Sequence, residues 1–576
     1  MAESEPQEEQ PGLKKKTSLF WSKIKATDWL VKLPALLTAL VGVINVTSAV
    51  TPALHSRLVL LEPTIPLIVR QGSRLTTALA GFALLMLAVN LWRRKRAAWL
   101  IAILVLFVSA AAHLLKGLDY EEASLATFVA VWLLFLRSHY HARSDTPSVW
   151  QGVRVLGFAL LFTLAYGAIG YDLLDRHFKV TYNLADALRQ TIIMFTQLYN
   201  PGLEPITGFG RYFAASIYIV GAVTLAAAAL LIARPVFLRH PASTIERERA
   251  RQIVEAHGCT RLARVTLLND KYYFFSPGGS VVPFTVKGRQ VLVLGDPIGP
   301  ADDFPACVAA FKQHCTRNDW TPSFVHALPE NLEKYRAAGF QSACIGHEAV
   351  VDLGTFTLAG GENKNMRTSV NRFTRLGWKA EVIQPPLSDE LLNDLRRISD
   401  DWLTTRKSQE MHFADGWFED DYIRSGPVIV IRDTDGIIQA FANILPEYQR
   451  NERTIDLMRH RKVENGLMDF LFVSLFLWAR EQGVATFSLG FSLFSGVGEH
   501  PEDPAVEKAL HFIYEHADQF FNFKGLHEFK EKFHPDWQPR YLIYPGTAEL
   551  PAIAVGYVQA LSGQSSLFSG LVKKSK

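Results

Sequence analysis

The sequence predicts a helical membrane domain followed by a domain of two tandem units in which strands and helices alternate. The chain has 576 residues, which is too long for one ordinary domain. Long runs without charge are almost confined to roughly the first 240 residues, whereas the remainder has the composition of a soluble protein. The net charge is only +4, so local basic clusters indicate better than bulk charge where an anionic partner binds.

The N-terminal segment 1–28 is first acidic and then basic, which predicts disorder, and it carries no cleavage site typical of a secretory signal. The region 29–240 contains about six apolar runs, most of them near the roughly 20 residues that a helix needs to cross a membrane. These runs are 33–54, 75–92, 97–115, 123–136, 155–171 and 212–233. The short run 123–136 also fits a buried or tilted segment.

Basic clusters predict the orientation of this domain. They precede the first run, follow the second and fourth runs, and follow the sixth, so that all lie on one side. The positive-inside rule makes that side the cytoplasm, with a multi-pass chain in the cytoplasmic (inner) membrane and everything after about residue 240 in the cytosol. Apolar residues recur at helical spacing within 182–212, which indicates an amphipathic helix at the outer surface or, equally, a re-entrant loop.

The remaining chain alternates strand and helix patterns twice, in 241–360 and again in 361–576. Strands are predicted at 272–275, 281–286, 290–295 and 323–326, and the turn Asp433-Thr434-Asp435-Gly436 predicts a hairpin. Two such α/β (α+β) units with antiparallel strands are typical of a duplicated acetyltransferase-like (GNAT) fold, with the active site assigned to the second. The four cysteines form no C-x-x-C pair, so no metal site is predicted.

The stretch 454–470 carries the strongest candidate site. A short apolar strand containing Asp456 runs into Arg459, His460, Arg461 and Lys462, and a long apolar helix begins near Leu467. A cationic turn before a helix N-terminus favours phosphate. Asp456 is expected to accept a proton from a hydroxyl or to bind an ammonium group, and Arg459 to hold a phosphate. The alternative for Asp456 is a structural ion pair with Arg459, and Arg459 can face Asp456 only if the strand ends near residue 458.

A second candidate segment, 521–540, is rich in aromatic and basic residues. Lys530 and Lys532 are two residues apart on a predicted helix, so at most one of them is expected to face a pocket; Arg540 follows a rigid turn. Acetyltransferases of this shape hold the coenzyme A pyrophosphate on a glycine-rich turn, but the turn 459–466 has a single glycine. The sequence therefore disfavours coenzyme A and predicts no cofactor.

Ordered motifs over about 260 residues carry a family resemblance. They are LGDPIG (294–299), GHEAVVDL (346–353), NMR (365–367) with NR (371–372), AFAN (440–443), DLMR (456–459), MDFL (468–471), FKGL (523–526) and FKEKF (529–533). Together they resemble the catalytic domain of the phosphatidylglycerol lysyltransferase (multiple peptide resistance factor) family. The resemblance implies an aminoacyl-tRNA donor and phosphatidylglycerol as acceptor among the membrane lipids. Glu348 matches the family pattern, either as a substrate-binding residue or as one that stabilises the domain junction, and Arg367 and Arg372, on a basic run, are candidate tRNA contacts.

Several alternatives stay open at this level. Lysyl is the favoured aminoacyl group, but alanyl or arginyl is not excluded, and neither is a homo-oligomer. A related transferase could act on a peptidoglycan precursor or another lipid, and a non-enzymatic chain could be a lipid flippase with a regulatory cytosolic domain. Family members carry a larger membrane region that moves the product outward, so whether this chain alone can flip its product stays open.

Overall fold

The structure is a computed structural model, and it describes residues 32–45, 47–48, 67–140, 161, 242–406, 409–446, 448–461, 465–500, 502–508, 511 and 523–563. The chain divides into two compact units. The first is Met1–Val236 with Arg317–Asp319, and the second is Phe237–Thr316 with Trp320–Lys576.

The described part of the first unit is helical. Its helices are α1 (Lys32–Asn45), α2 (Leu67–Trp92), α3 (Arg96–Gly117) and α4 (Tyr120–Phe135). Within the described residues one segment, Arg96–Leu115, is long and apolar enough to cross a membrane. The predicted runs 155–171 and 212–233 and the predicted amphipathic helix within 182–212 fall almost wholly outside the described residues, so the number of spans stays a prediction.

The second unit contains an 11-stranded mixed sheet in the order β1-β2-β3-β4-β11-β5-β10-β9-β8-β7-β6. The strands are β1 (Tyr272–Phe275), β2 (Val281–Lys287), β3 (Gln290–Leu294), β4 (Thr321–Ala327), β5 (Gln341–Asp352), β6 (Lys379–Ile383), β7 (Val428–Arg432), β8 (Ile438–Pro446), β9 (Glu452–His460), β10 (Thr486–Leu493) and β11 (Asp536–Tyr544). The predicted hairpin at residues 433–436 is confirmed, since β7 and β8 pair antiparallel around it.

Helices connect these strands and cover the sheet. They are α5 (Thr244–His257), α6 (Phe304–Arg317), α7 (Leu332–Ala337), α8 (Lys364–Arg375), α9 (Asp389–Arg406), α10 (Asp420–Arg424), α11 (Leu467–Glu481), α12 (Phe523–Glu531) and α13 (Leu550–Leu561). Helix α5 begins with a capping box, in which the Ser243 hydroxyl accepts from the Glu246 N–H and the Glu246 carboxylate accepts from the Ser243 N–H.

Each half of the sheet contains one parallel pair joined by a helical crossover. Strands β3 and β4 are joined through α6, and β9 and β10 through α11. The last strand, β11, lies between β4 and β5, so a segment from late in the chain completes the first half of the sheet. Strand β5 also pairs with β10, which makes the two halves one continuous sheet.

Two apolar cores hold the helices on the sheet. One joins α9 and α13 to strand residues such as Leu292, Phe441 and Leu457. The other joins α8 and α11 to residues such as Ile455 and Phe487. Full burial of such a side chain stabilises the fold by about 1.5–3 kcal/mol, so these contacts fix the position of β9, the strand that carries Asp456.

Candidate active site

A cavity of about 360 Å³ lies where β9 and β10 separate. The two strands are paired only from Glu452 to Thr454 on β9, and β10 is irregular between Ser488 and Phe491. Residues from many separate parts of the chain line the opening: Arg261, His326, Met411, Ala414, Asp415, Ile455, Asp456, Met458, Phe472, Leu489, Gly490, Phe491, Ser492, Leu493, Leu526, Phe529, Lys530, Tyr557 and Leu561. The walls are mainly apolar, with a few charged groups.

Asp456 is held rigidly at the wall of this cavity. Its carboxylate accepts hydrogen bonds from the Gly416 N–H, at 2.9 and 3.1 Å to the two oxygens, and from the Tyr422 hydroxyl at 2.7 Å. A Cβ atom at position 416 would lie 2.1 Å from Asp456 Oδ2, so only glycine lets the backbone approach this closely. These two donors, one N–H and one O–H, fix the position of the carboxylate at the cavity wall.

Lys530 faces the same cavity from helix α12. Its side chain is buried, and its Nζ donates to the Phe491 carbonyl at 2.8 Å. Burial, helped by the Arg261 guanidinium, lowers the pKa of Lys530 to about 7. Lys532 instead pairs with Asp469, with 3.3 Å between Nζ and Oδ1, and does not line the cavity. Of the two lysines only Lys530 therefore faces the cavity, as their spacing predicts.

Behind the cavity lies a buried ionic network centred on Glu348. Its carboxylate accepts from Arg540 Nε at 2.9 Å and from the Ser488 hydroxyl, and lies 3.4 Å from Arg261 Nε. Burial alone would raise the pKa of Glu348, but the two guanidiniums outweigh it and bring that pKa down to about 2. Glu348 and Arg540 thus neutralise each other under the site and hold Arg261 at its wall.

Asp415 and His326 are cavity residues that the sequence did not predict. Asp415 accepts no hydrogen bond from the described part of the chain, and burial together with the charge of Asp456 raises the pKa of Asp415. His326 packs edge-on against Phe491, and burial lowers the pKa of His326 to about 3, so the ring is neutral at pH 7. Both residues come from distant segments without any local motif, so no sequence signal marks them.

Arg459 is placed differently from the sequence expectation. Strand β9 continues to His460, and the Arg459 guanidinium donates to Glu410 at 2.8 Å and lies 4.1 Å from the centre of the Trp402 ring. The alternative prediction, an ion pair between Asp456 and Arg459, is therefore wrong, since Arg459 pairs with Glu410. Strand alternation does not decide this placement, because β9 has one extra residue between Ile455 and Met458 relative to β8.

The other predicted binding residues lie elsewhere in the second unit. Arg461 lines a separate cleft with His460. Arg367 donates to the carbonyls of Leu358 and Gly360, and Arg372 to that of Asn465. Lys462 lies outside the described residues.

The N-terminus of α11, where the sequence predicted a phosphate site, also differs from the expectation. At the start of α11, Asp469 lies in the first turn and accepts from Ser369 and from Lys532. A fixed carboxylate already occupies the positive end of the helix dipole, so phosphate is not favoured there. The structure therefore does not support an anion site at the start of α11.

The first half of the sheet has an equivalent position beside a smaller cavity of about 220 Å³. Asp296 follows the β3/β4 pair, and its carboxylate accepts from the Leu328 N–H, the Asn331 amide and the Tyr335 hydroxyl at 2.8–3.0 Å. Burial raises the pKa of Asp296. In the described residues, the cluster with metal-ligand spacing is His113, Asp119 and Glu122 in the N-terminal helices, and none of these lines the cavity.

The fold and this cavity define a class: a double acetyltransferase-like domain whose second half holds an open cleft with a carboxylate and a nearly neutral lysine. Residues 251–544 match the family model described as phosphatidylglycerol lysyltransferase, C-terminal. The chain therefore belongs to the phosphatidylglycerol lysyltransferase family.

Relatives and solved structures agree with this placement. A phosphatidylglycerol lysyltransferase of Bacillus subtilis is 30% identical over 553 residues, which cover 92% of this chain and 59% of that protein. One from Staphylococcus epidermidis is 32% identical over 308 residues, covering 53% and 36%. The chain thus spans well under two thirds of the length of these curated relatives.

Two solved structures share the fold of the second unit. The structure of L-PGS from Bacillus licheniformis matches with a TM-score of 0.51 at 34% identity, over 55% of this chain and 97% of that one. The C-terminal domain of a putative lysylphosphatidylglycerol synthetase from Agrobacterium fabrum matches with a TM-score of 0.50 at 34% identity, over 56% and 98%.

Proposed function

We propose that the chain transfers an aminoacyl group, lysyl in the first place, from aminoacyl-tRNA to the glycerol hydroxyl of phosphatidylglycerol. The observation that carries this proposal is the placement of Asp456 and Lys530 in one cavity at the β9/β10 separation. The names of the relatives supply the acceptor lipid and the lysyl group.

The reaction exchanges one ester for another. The glycerol hydroxyl attacks the aminoacyl carbonyl, the new C–O bond forms, and the bond to the tRNA ribose oxygen breaks. The neutral Lys530 amine accepts the proton of the attacking hydroxyl and returns it to the departing ribose oxygen. A base with a pKa of about 7 is matched to neutral pH, and such help accelerates a reaction by about 10²–10⁴-fold.

The acidic side of the cavity fits a cationic aminoacyl group. A lysyl ester carries two ammonium groups, and the cavity offers two carboxylates, Asp456 and Asp415. The Arg261 guanidinium at the cavity wall pairs with Glu348, with 3.4 Å between Arg261 Nε and Glu348 Oε1. Charge-assisted hydrogen bonds of this kind contribute about 1.5–3 kcal/mol each.

Membrane attachment suits a lipid acceptor. The apolar segment Arg96–Leu115 supports the proposal that the N-terminal helices hold the chain in the cytoplasmic membrane, with the second unit on the cytoplasmic side. A lysyl group replaces the net negative charge of the lipid headgroup by a positive one. The product would therefore lower the negative surface charge that attracts cationic antimicrobial peptides.

The test is transfer by the purified full chain in nanodiscs that contain phosphatidylglycerol. tRNA charged separately with lysine, alanine or arginine is added, and the lipids are analysed by mass spectrometry. We expect lysyl-phosphatidylglycerol, formed by Asp400→Asn, an exposed control, but not by Asp456→Asn. Absence of any aminoacylated lipid with all three donors would refute the proposal, and product only on an added peptidoglycan precursor would reassign the acceptor.

A further inference from the structure

A second cleft, of about 460 Å³, opens where helix α9 ends beside the end of strand β9. Its lining is Asp401, Trp402, Thr404, Thr405, Arg406, His460 and Arg461. Arg406 and Arg459 both lie over the Trp402 ring, with 4.9 and 4.1 Å from guanidinium carbon to ring centre. The cleft therefore combines an aromatic ring with several cationic groups, against two carboxylates, Asp401 in its lining and Glu410 paired with Arg459.

Three enclosed N–H donors in this region have no acceptor within the described chain. They are Nε1 of Trp402, Nε of Arg459 and Nε of Arg461. An unpaired buried donor is costly, so three in one place are unusual unless a ligand accepts from them. Two of the three belong to guanidiniums, so the matching ligand is an anion with several oxygen acceptors, such as a phosphodiester.

The cleft and the cavity are connected by one strand. Asp456 and Met458 line the cavity, whereas His460 and Arg461 line the cleft. At about 3.3 Å per residue, the Cα atoms of Asp456 and Arg461 are at most roughly 17 Å apart. In phosphatidylglycerol the acceptor hydroxyl lies only three carbon atoms from the phosphate, which is a much shorter span than this limit. A charged polynucleotide, with its ester at one end and successive phosphates behind it, is long enough.

We propose that this cleft binds the phosphodiesters of the unpaired 3′ end of the donor tRNA while the aminoacyl ester lies in the cavity. Arg461 and the Trp402 N–H would contact the phosphates, and Arg406 would add charge at the rim. Cationic grooves with aromatic rings are the general means of binding single-stranded nucleic acid. This inference rests on the aminoacyl-tRNA donor proposed above.

Binding is measured with the full chain in phosphatidylcholine nanodiscs and a fluorescent, 5′-phosphorylated CCA trinucleotide. We expect Arg461→Gln to weaken binding roughly 10- to 100-fold and to reduce the slope of log affinity against log salt by about 0.7. Trp402→Phe keeps the ring but removes the N–H, and should weaken binding several-fold. Arg432→Gln, which removes an equal charge from the hairpin at β7 where Arg432 contacts Glu381, is the matched control and should leave affinity unchanged.

Steady-state kinetics distinguishes tRNA binding in the cleft from catalysis in the cavity. In Arg461→Gln, KM for lysyl-tRNA should rise while kcat and KM for phosphatidylglycerol stay constant. Unchanged KM for tRNA would overturn the inference, and a raised KM for the lipid alone would assign the cleft to the headgroup. If wild-type chain binds the trinucleotide but makes no lipid product, the transfer proposal fails and the cleft stands. If the chain makes the lipid product but neither Arg461→Gln nor Trp402→Phe changes trinucleotide binding, the cleft proposal is refuted and the transfer proposal stands.

Discussion

The two parallel strand pairs of the second unit use the same architecture in opposite ways. In each, a carboxylate lies two residues beyond the last paired residue: Asp296 after Leu294, and Asp456 after Thr454. Asp296 accepts from three donors of the segment that follows β4 and borders a cavity of about 220 Å³, whereas Asp456 accepts from two donors and shares a cavity of about 360 Å³ with the buried Lys530. We therefore assign support of the fold to the first carboxylate and chemistry to the second, and the difference lies in the lysine beside it.

The strongest expected effect concerns the lysine that faces the open half. Lys530→Met should lower kcat by about 10²–10⁴-fold because the proton acceptor is lost. Lys532→Met, which removes the same group two residues away, should stay close to wild type. Single-turnover transfer from lysyl-tRNA measures both, and equal losses in the two variants would show that Lys530 has no special role.

The pH dependence of wild type sharpens the same point. The pKa of Lys530 is about 7, below its ordinary value of 10.5, so the amine is protonated and inactive as a base at lower pH. We expect kcat to rise with pH through about 7 and then level off. Rates that fall through this range would mean that the charged form of Lys530 is the active one.

The ionic network under the cavity should matter for stability. Glu348→Gln leaves Arg261 and Arg540 buried without a counter-charge, which costs about 3–5 kcal/mol of unfolding free energy. The pKa of Glu348 is lowered from 4.5 to about 2, so its contribution is present above pH 4.5 and is lost as pH falls toward 2. Thermal unfolding of the full chain across this range, with exposed Glu381→Gln as control, measures it. Equal shifts in the two variants would contradict the network's role.

Asp296, in the first half of the sheet, is expected to affect stability and not activity. Asp296→Ala removes the acceptor of three enclosed donors and should destabilise the second unit by at least about 2 kcal/mol. Specific activity per folded molecule should remain near wild type. Hydrogen exchange on the segment after β4, read beside the transfer rate, checks both parts, and loss of activity without loss of protection would place chemistry in the first half.

The smallest effect concerns selectivity. Asp415→Asn removes one of the two cavity carboxylates, and should lower the preference for lysyl-tRNA over alanyl-tRNA by about tenfold or more. Competition between the two donors, with Asp400→Asn as the exposed control, measures the ratio of kcat/KM values. A ratio that does not move would remove Asp415 from substrate selection.

The sequence predicts those features of the second unit that depend on residues close together in the chain. The strand around Asp456, the hairpin at residues 433–436 and the opposite placement of Lys530 and Lys532 all follow from short-range patterns. The insertion of β11 between β4 and β5 does not, because it depends on pairing between segments about 200 residues apart. Arg261, His326 and Asp415 were missed for the same reason. A phosphate site was expected at the start of α11, but the carboxylate of Asp469 lies in that first turn.

The most direct test of the account is Asp456→Asn in the full chain, assayed by single-turnover transfer from lysyl-tRNA to phosphatidylglycerol beside thermal unfolding of the same sample. The substitution keeps the shape of the side chain and removes its charge. We predict at least about a 100-fold loss of rate, about 2.7 kcal/mol, with little change in melting temperature. A variant that transfers lysine at the wild-type rate would contradict the assignment of the active site to this cavity.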